Sequence, residues 1–359
     1  MDYEFRTNVI REKIVESELD GFLIARENNI RYLSGFFGKG SGSWVLLTQD
    51  NQYLLTDSRF TEQADKQAPF YKKYIWQRPY IKYFTNLIKE LEIKKLGFES
   101  NNITYHNFLK IKESILDVEL VPISGFVEEM RAVKSKEEID LIKRAASISD
   151  KAFTIIINEI KTGMRERDIA NRLDFILRDL GADKESFDTI VASGIMSSMP
   201  HATASNKVVE VGDLVKLDFG SIVDGYHSDM TRMVVIGKPT DKQKNIFNIV
   251  LEAQIKALGA ARPGVKCKIL DKIARDFITE KGYGENFLHG LGHGVGLNIH
   301  ELPTLTKNSE DILKKGMVFT IEPGIYIKNF GGVRIEDLLF VTDDGYEILS
   351  KTEKRLYEI

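Results

Sequence analysis

The sequence contains a single cysteine, Cys267, among 359 residues. No disulfide can close within the chain, which fits a reducing compartment. Alone within a predicted helix, Cys267 reads as packed and inert. No apolar run approaches the roughly 18–20 residues that span a bilayer. The opening MDYEFRTNVIREKI patterns as a charged amphipathic helix and lacks the apolar stretch of an export signal. A cytoplasmic location is therefore expected. Neither sign of charge dominates, with 50 Lys+Arg against 53 Asp+Glu and a net charge of −3. That balance argues against nucleic acid or an anionic membrane as the main partner. Two catalytic signatures are also missing: there is no HExxH, and no phosphate loop of the GxGxxG or GK[ST] kind.

What is present centres on GDLVKLDFGSIVDGYHSDMTR, residues 212–232. Val215, Leu217 and Phe219 alternate with Lys216 and Asp218, the period of a strand. Asp224-Gly225 is a type I′ turn signal, and the chain returns from Tyr226. This register sets Asp218 opposite Thr231, with Asp229 two residues along on the same face. Diagonal neighbours on one face are roughly 7–8 Å apart, so the two carboxylates can converge on one point. Buried side by side they need a positive partner, and Arg232 points the other way by parity. An ordinary hairpin with solvated acids is an equal reading of this stretch alone.

The pattern occurs twice, however. KGMVFTIEPG (315–324) repeats VGDLVKLDFG (211–220), with Glu322 in place of Asp218. The following GVRIEDLLFV carries Glu336 in place of Asp229. A solvated face has no reason to repeat paired acids, whereas a shared binuclear metal site does.

Residues 1–128 read as one α/β domain and 129–359 as a second, with a linker near 126–133. In the first, strands are expected at 21–25, 43–48, 53–57, 72–77, 95–100 and 119–124, and Asn28-Asn29 falls in a loop. Asp57-Ser58-Arg59 reads as a helix cap, and residues 36–43 as a flexible loop. In the second, Ser135 and Glu138 form a capping box opening a long helix to about 160. Gly163 breaks it, and a further helix ends at Gly181. The sequence repeats this with a helix over 242–258, a break at Gly264 and a helix ending at Gly282. Each half reads helix, helix, loop, acid-bearing hairpin, which predicts a pseudo-twofold domain with the site at the junction.

Five of the six histidines lie between His201 and His300. His289, His293 and His300 fall in FLHGLGHGVGLNIHELP, whose glycines are too dense for a stable helix and suit close approach of backbone to a ligand. His227 reads as structural.

The ordered set LDFG, SDMTR, HGLGHGVGLNIHE, IEPGIY and GGVRIED resembles the pita-bread metallopeptidases, in the aminopeptidase P and prolidase branch. RYLSGF and TDSRF resemble the creatinase-like N-terminal domain of that branch. The resemblance implies an α+β fold, with a pseudo-twofold pita-bread domain behind a smaller α/β domain. It also implies metal ligands at Asp218, Asp229, His293, Glu322 and Glu336. Substrate and transition-state contacts are implied at His201, His289, His300 and Arg334, with Tyr326 beside the metal shell.

Four carboxylates and one imidazole carry −4, which two divalent cations neutralise. An oxygen-rich set without thiolate favours Mn²⁺, with Co²⁺ or Zn²⁺ as alternatives. Two ions about 3.5–4 Å apart can acidify a shared water. Glu322 is the expected general base, His201 and His300 the expected oxyanion and leaving-group partners, and Arg334 the expected orienter of Glu336 and His300. A surface ion pair is the bland alternative for Arg334.

The expected reaction is removal of the first residue from peptides with proline second, by a homodimer. The first alternative is a prolidase, restricted to Xaa-Pro dipeptides and needing a cation for the free carboxylate. Methionine aminopeptidases lack such an N-terminal domain, and creatinase lacks the metal acids. A non-catalytic binding protein on this fold would be expected to have lost ligands.

Overall fold

A computed structural model describes all residues, Met1–Ile359. The chain divides into two compact units, Met1–Arg131 and Ala132–Ile359. The boundary expected after residue 128 falls inside a helix, Phe126–Ala132.

In the first unit the elements run α1 (Tyr3–Glu16), β1 (Gly21–Ile24), α2 (Glu27–Ser34), β2 (Trp44–Thr48), β3 (Gln52–Asp57), α3 (Thr61–Gln67), β4 (Lys72–Trp76), α4 (Tyr80–Glu90), β5 (Lys95–Glu99), α5 (Tyr105–Ser114), β6 (Glu119–Ile123) and α6, the boundary helix. Six strands form one mixed sheet in the order β4-β3-β2-β1-β5-β6. Asp57 caps the turn at Ser58 by accepting from the Arg59 N–H at 2.9 Å. One expectation fails, because Asn28 and Asn29 lie in α2 and not in a loop. The reason is tertiary: Asn29 is buried, and its amide donates to Glu99 at 2.6 Å and to Glu128 at 2.7 Å. Those bonds remove the competition with backbone that makes Asn a poor helix residue. The 36–43 loop is tied down, with Phe36 buried and Ser43 donating to Thr56 at 2.7 Å.

The second unit is built twice over. Its first half runs α7 (Lys136–Ile156), α8 (Glu166–Asp179), β7 (Lys184–Glu185), β8 (Ile190–Ser193), β9 (Leu214–Phe219), β10 (Ser221–Val223), β11 (Tyr226–His227) and β12 (Met230–Val235). Its second half runs α9 (Asp241–Ala260), α10 (Cys267–Glu280), β13 (Gly292–Gly294), β14 (Glu301–Leu305), β15 (Val318–Ile321), β16 (Gly324–Ile327), β17 (Gly331–Arg334) and β18 (Asp337–Val341). In one half β9 sits between β8 and β12, and in the other β15 sits between β13 and β18, all antiparallel. Both leading helices open with a capping box, Ser135/Glu138 and Thr240/Gln243. The second helices stop where Gly181 and Gly282 take positive φ (98° and 84°), a conformation that costs glycine least. Two apolar cores form: Phe153, Leu173, Leu217 and Phe219 belong to one, and Val250, Leu270, Phe319 and Leu339 to the other, which Leu214 and Met233 of the first half also join. This is the pseudo-twofold arrangement that the repeat predicts and the α+β pita-bread fold that the resemblance implies.

Candidate metal centre

The first hairpin has the expected register, with Thr231 opposite Asp218. Asp224 and Gly225 both adopt positive φ (46° and 77°), as a type I′ turn requires. Gly220 lets the ribbon bend between the two acids, since a Cβ there would lie 1.8 Å from the Ser228 carbonyl oxygen. In the second hairpin the pairs Ile321–Asp337 and Gly324–Arg334 flank Glu322 and Glu336, so these two acids face each other directly. The hairpins join at the junction of the halves. The Glu336 N–H donates to the Thr231 carbonyl at 3.3 Å, and the Thr231 hydroxyl donates to Glu336 Oε2 at 2.7 Å.

One cavity of about 570 Å³ is lined by Asp218, Asp229, His293, Glu322 and Glu336 together with His201, His289, His300 and Arg334. Ligand atoms of Asp229, His293 and Glu336 all lie within 4.8 Å of one another. His293 Nε2 is 3.6 Å from Asp229 Oδ2 and 3.4 Å from Glu322 Oε1. Its Nδ1 faces the Gly294 carbonyl at 3.1 Å, an acceptor only, so Nδ1 carries the proton and the Nε2 lone pair faces the acids. Burial keeps that imidazole neutral by lowering its pKa.

The carboxylates repel one another in a desolvated pocket. Burial, then the charges of Glu336, Asp218 and Glu322, raises the Asp229 acid well above the carboxylate range. Burial, then the charges of Glu322 and Asp218, raises Glu336 likewise. Burial raises Glu322 to about 7, against the pull of Arg334. Asp229 Oδ1 and Glu336 Oε1 are buried without any hydrogen-bond partner. Orphaned carboxylate oxygens beside a neutral imidazole lone pair fit divalent cations as the missing partners.

Arg334 is 3% exposed, which excludes a surface ion pair. Its contacts differ from those expected. Nη2 contacts Asp218 Oδ2, Nε donates to Thr231 Oγ1 at 3.0 Å, and Nη1 donates to the Pro200 carbonyl at 3.1 Å and to Tyr326 Oη at 3.0 Å. It therefore reaches Glu336 only through Thr231, because the facing-strand register aims it across at β9. Tyr326 stands behind the wall, donating to His289 Nε2 at 2.9 Å. With Nδ1 bonded to the Gly290 carbonyl at 2.7 Å, both His289 nitrogens are used within the protein. His289 thus offers a substrate its ring and no hydrogen bond. His201 and His300 are exposed on the wall.

The glycines of the histidine loop are required by packing within the protein. A Cβ at Gly292 would meet the Thr320 carbonyl at 2.1 Å, and one at Gly294 the Leu302 carbonyl at 2.1 Å, because β13 is squeezed between β14 and β15. His227 is bound to Ser186 Oγ at 2.8 Å. Sequence reasoning missed the hydrogen-bonding parts of Thr231 and Thr320. Thr320 Oγ1 donates to Glu322 Oε1 at 3.2 Å, two residues along the same strand face. That i−2 spacing was the available signal. Arg334 is the only arginine on the wall, which has no lysine, and four of its five N–H donors are bonded within the protein, with its charge set against Asp218. No helix is long and apolar enough to cross a membrane.

Comparison with known proteins agrees with this geometry. Residues 140–343 match metallopeptidase family M24, and residues 6–133 match the creatinase/prolidase N-terminal domain. A Xaa-Pro dipeptidase of Pyrococcus horikoshii is 42% identical over 352 residues, 96% of this chain and 97% of that one. The solved Xaa-Pro dipeptidase from Bacillus anthracis is 44% identical with a TM-score of 0.96, covering 99% of this chain and 100% of its own. The X-Pro aminopeptidase from Thermotoga maritima is 39% identical with a TM-score of 0.91, covering 98% of this chain and 99% of its own.

Proposed function

This chain belongs to metallopeptidase family M24, in the aminopeptidase P and prolidase branch, and on that footing we propose that it hydrolyses the Xaa-Pro bond of dipeptides. The observation that carries a metal-dependent hydrolase is the convergence of four acids and one neutral imidazole around orphaned carboxylate oxygens. Asp218, Asp229, His293, Glu322 and Glu336 would hold two divalent ions, with Mn²⁺ favoured by the oxygen-rich set. When bound, such ions supply Lewis acidity toward a carbonyl oxygen and a nucleophile at neutral pH.

The chain's own groups do the rest. Glu322, ionised when it holds metal, can take a proton from the attacking water and pass it on. Burial, then His293 and His201, lowers His300 to about 4, so its ring is a neutral N–H donor for the developing oxyanion. His201, on the same wall, serves the oxyanion or the departing proline nitrogen. Arg334 orients Asp218 through its direct contact and Glu336 through Thr231. The His289 ring supplies an apolar contact for a proline, whose missing N–H asks for no acceptor.

Dipeptide preference replaces the longer-peptide preference expected from the sequence. Support comes from relatives named Xaa-Pro dipeptidase at over 40% identity. The second reading, an Xaa-Pro aminopeptidase, is favoured by the wall's lack of a spare cation for a free carboxylate. Assays of Mn²⁺-loaded protein on Ala-Pro, Ala-Pro-Ala and a longer Xaa-Pro peptide separate the two. Cleavage of the dipeptide alone supports the first, cleavage of the longer peptides supports the second, and cleavage of none with Mn²⁺, Co²⁺ or Zn²⁺ rejects both. The homodimer and the cytoplasmic location belong to the same proposal.

A further inference from the structure

Lys216 is fully buried on β9, two residues before Asp218 and on the same strand face. Its Nζ donates to the Met199 carbonyl at 2.7 Å and to the Pro200 carbonyl at 3.0 Å. Met199 and Pro200 immediately precede His201, and no residue from His201 to Ala204 lies in a helix or strand. Arg334, from the other half of the unit, donates to the same Pro200 carbonyl at 3.1 Å. Two donor side chains from opposite halves thus hold the peptide groups that lead into His201. Burial, then the charge of Arg334, lowers the Lys216 ammonium to about 6, so burying this amine is costly and its placement on these two carbonyls needs a return. Side chains of a reacting site work only when held within a fraction of an ångström, and the loop offers no ladder of its own to do this.

We propose that Lys216 is a positioning residue for His201, fixing the imidazole against the metal centre by anchoring the two carbonyls before it. A purely structural role, filling space beneath the Tyr326 ring 5.2 Å away, is the competing account. The kinetic arm of the test rests on the peptidase reading above, and the spectroscopic arm does not.

Lys216→Met keeps the length and loses the donors, whereas Lys216→Gln keeps one donor. With whichever Xaa-Pro substrate is cleaved, K216M is expected to lower kcat/KM by about 10–100-fold and K216Q by less. His201→Ala should cost at least as much as K216M. The double variant K216M/H201A should fall within about twofold of H201A, because Lys216 then has nothing left to position. Metal content and melting temperature are measured alongside, and K216Q carries the cycle if K216M does not fold. In metal-free protein labelled with ¹⁵N-histidine, K216M should shift or broaden the His201 ring signals and leave those of His106 unchanged. Additive losses in the double variant, full activity of K216M, or an unmoved His201 spectrum would each overturn the assignment. If no Xaa-Pro peptide is cleaved, the peptidase reading falls and the ring spectrum alone decides on Lys216.

Discussion

Replacing Glu322 by glutamine should stabilise the metal-free protein at alkaline pH and destabilise the metal-loaded one. Burial raises the Glu322 acid from 4.5 to about 7, with Asp218 adding to the shift and Arg334 opposing it. The folded state therefore keeps a proton that the unfolded chain releases. The resulting stability is complete below about pH 4.5 and is lost as the pH rises through about 7. About 2.5 pH units at 1.36 kcal/mol each is about 3 kcal/mol, an upper figure because Asp229 and Glu336 share the proton load. A glutamine is neutral throughout and can still accept from Thr320. In EDTA at pH 8, E322Q should melt higher than the parent by up to about 6–12 °C, and the gap should shrink towards zero near pH 4.5. With saturating Mn²⁺ the order should reverse, because the variant has lost a ligand whose binding stabilises the fold. Differential scanning calorimetry over pH 4.5–8, with and without metal, reads both effects. A variant that melts below the parent at pH 8 in EDTA, or a gap that ignores pH, would refute the reasoning.

Metal binding should release protons, since Asp229, Glu322 and Glu336 all hold their acids above the ordinary range. The apparent Mn²⁺ affinity should then rise between pH 6 and 8, and titration calorimetry in two buffers of different ionisation heat should detect the protons; a flat affinity counts against the site. Cys267 is buried and its thiol is pushed up to about 12, so it should resist a disulfide reagent at pH 8 until the protein is unfolded. Arg232→Met leaves the buried Asp337 carboxylate with Lys354 and Gln254 alone, which should cost about 3–5 kcal/mol in denaturant titration. Gly220→Ala places a Cβ against the Ser228 backbone and should lower metal content along with stability, a coupling that a remote core defect would lack.

The periodicity of the chain was enough to locate the repeated helix pairs, the I′ turn at Asp224-Gly225 and the Asp218–Thr231 register. These depend on local rules: alternation in strands, capping at helix starts, and glycine where φ turns positive. The repeat of paired acids likewise marked the centre, because side-chain parity along a strand is a local property. Where a side chain's partner comes from a distant segment, the sequence was silent or misleading. Asn29 joined a helix because Glu99 and Glu128, from far along the chain, receive its amide. The glycines around His293 serve strand packing against Thr320 and Leu302, which no local pattern reveals. Arg334 aims at Asp218 and Thr231 because strands from the two halves are set face to face only in the folded unit. The residue types and their spacing thus determined which groups could form a metal centre, and tertiary packing decided which hydrogen bonds each of them has left to offer.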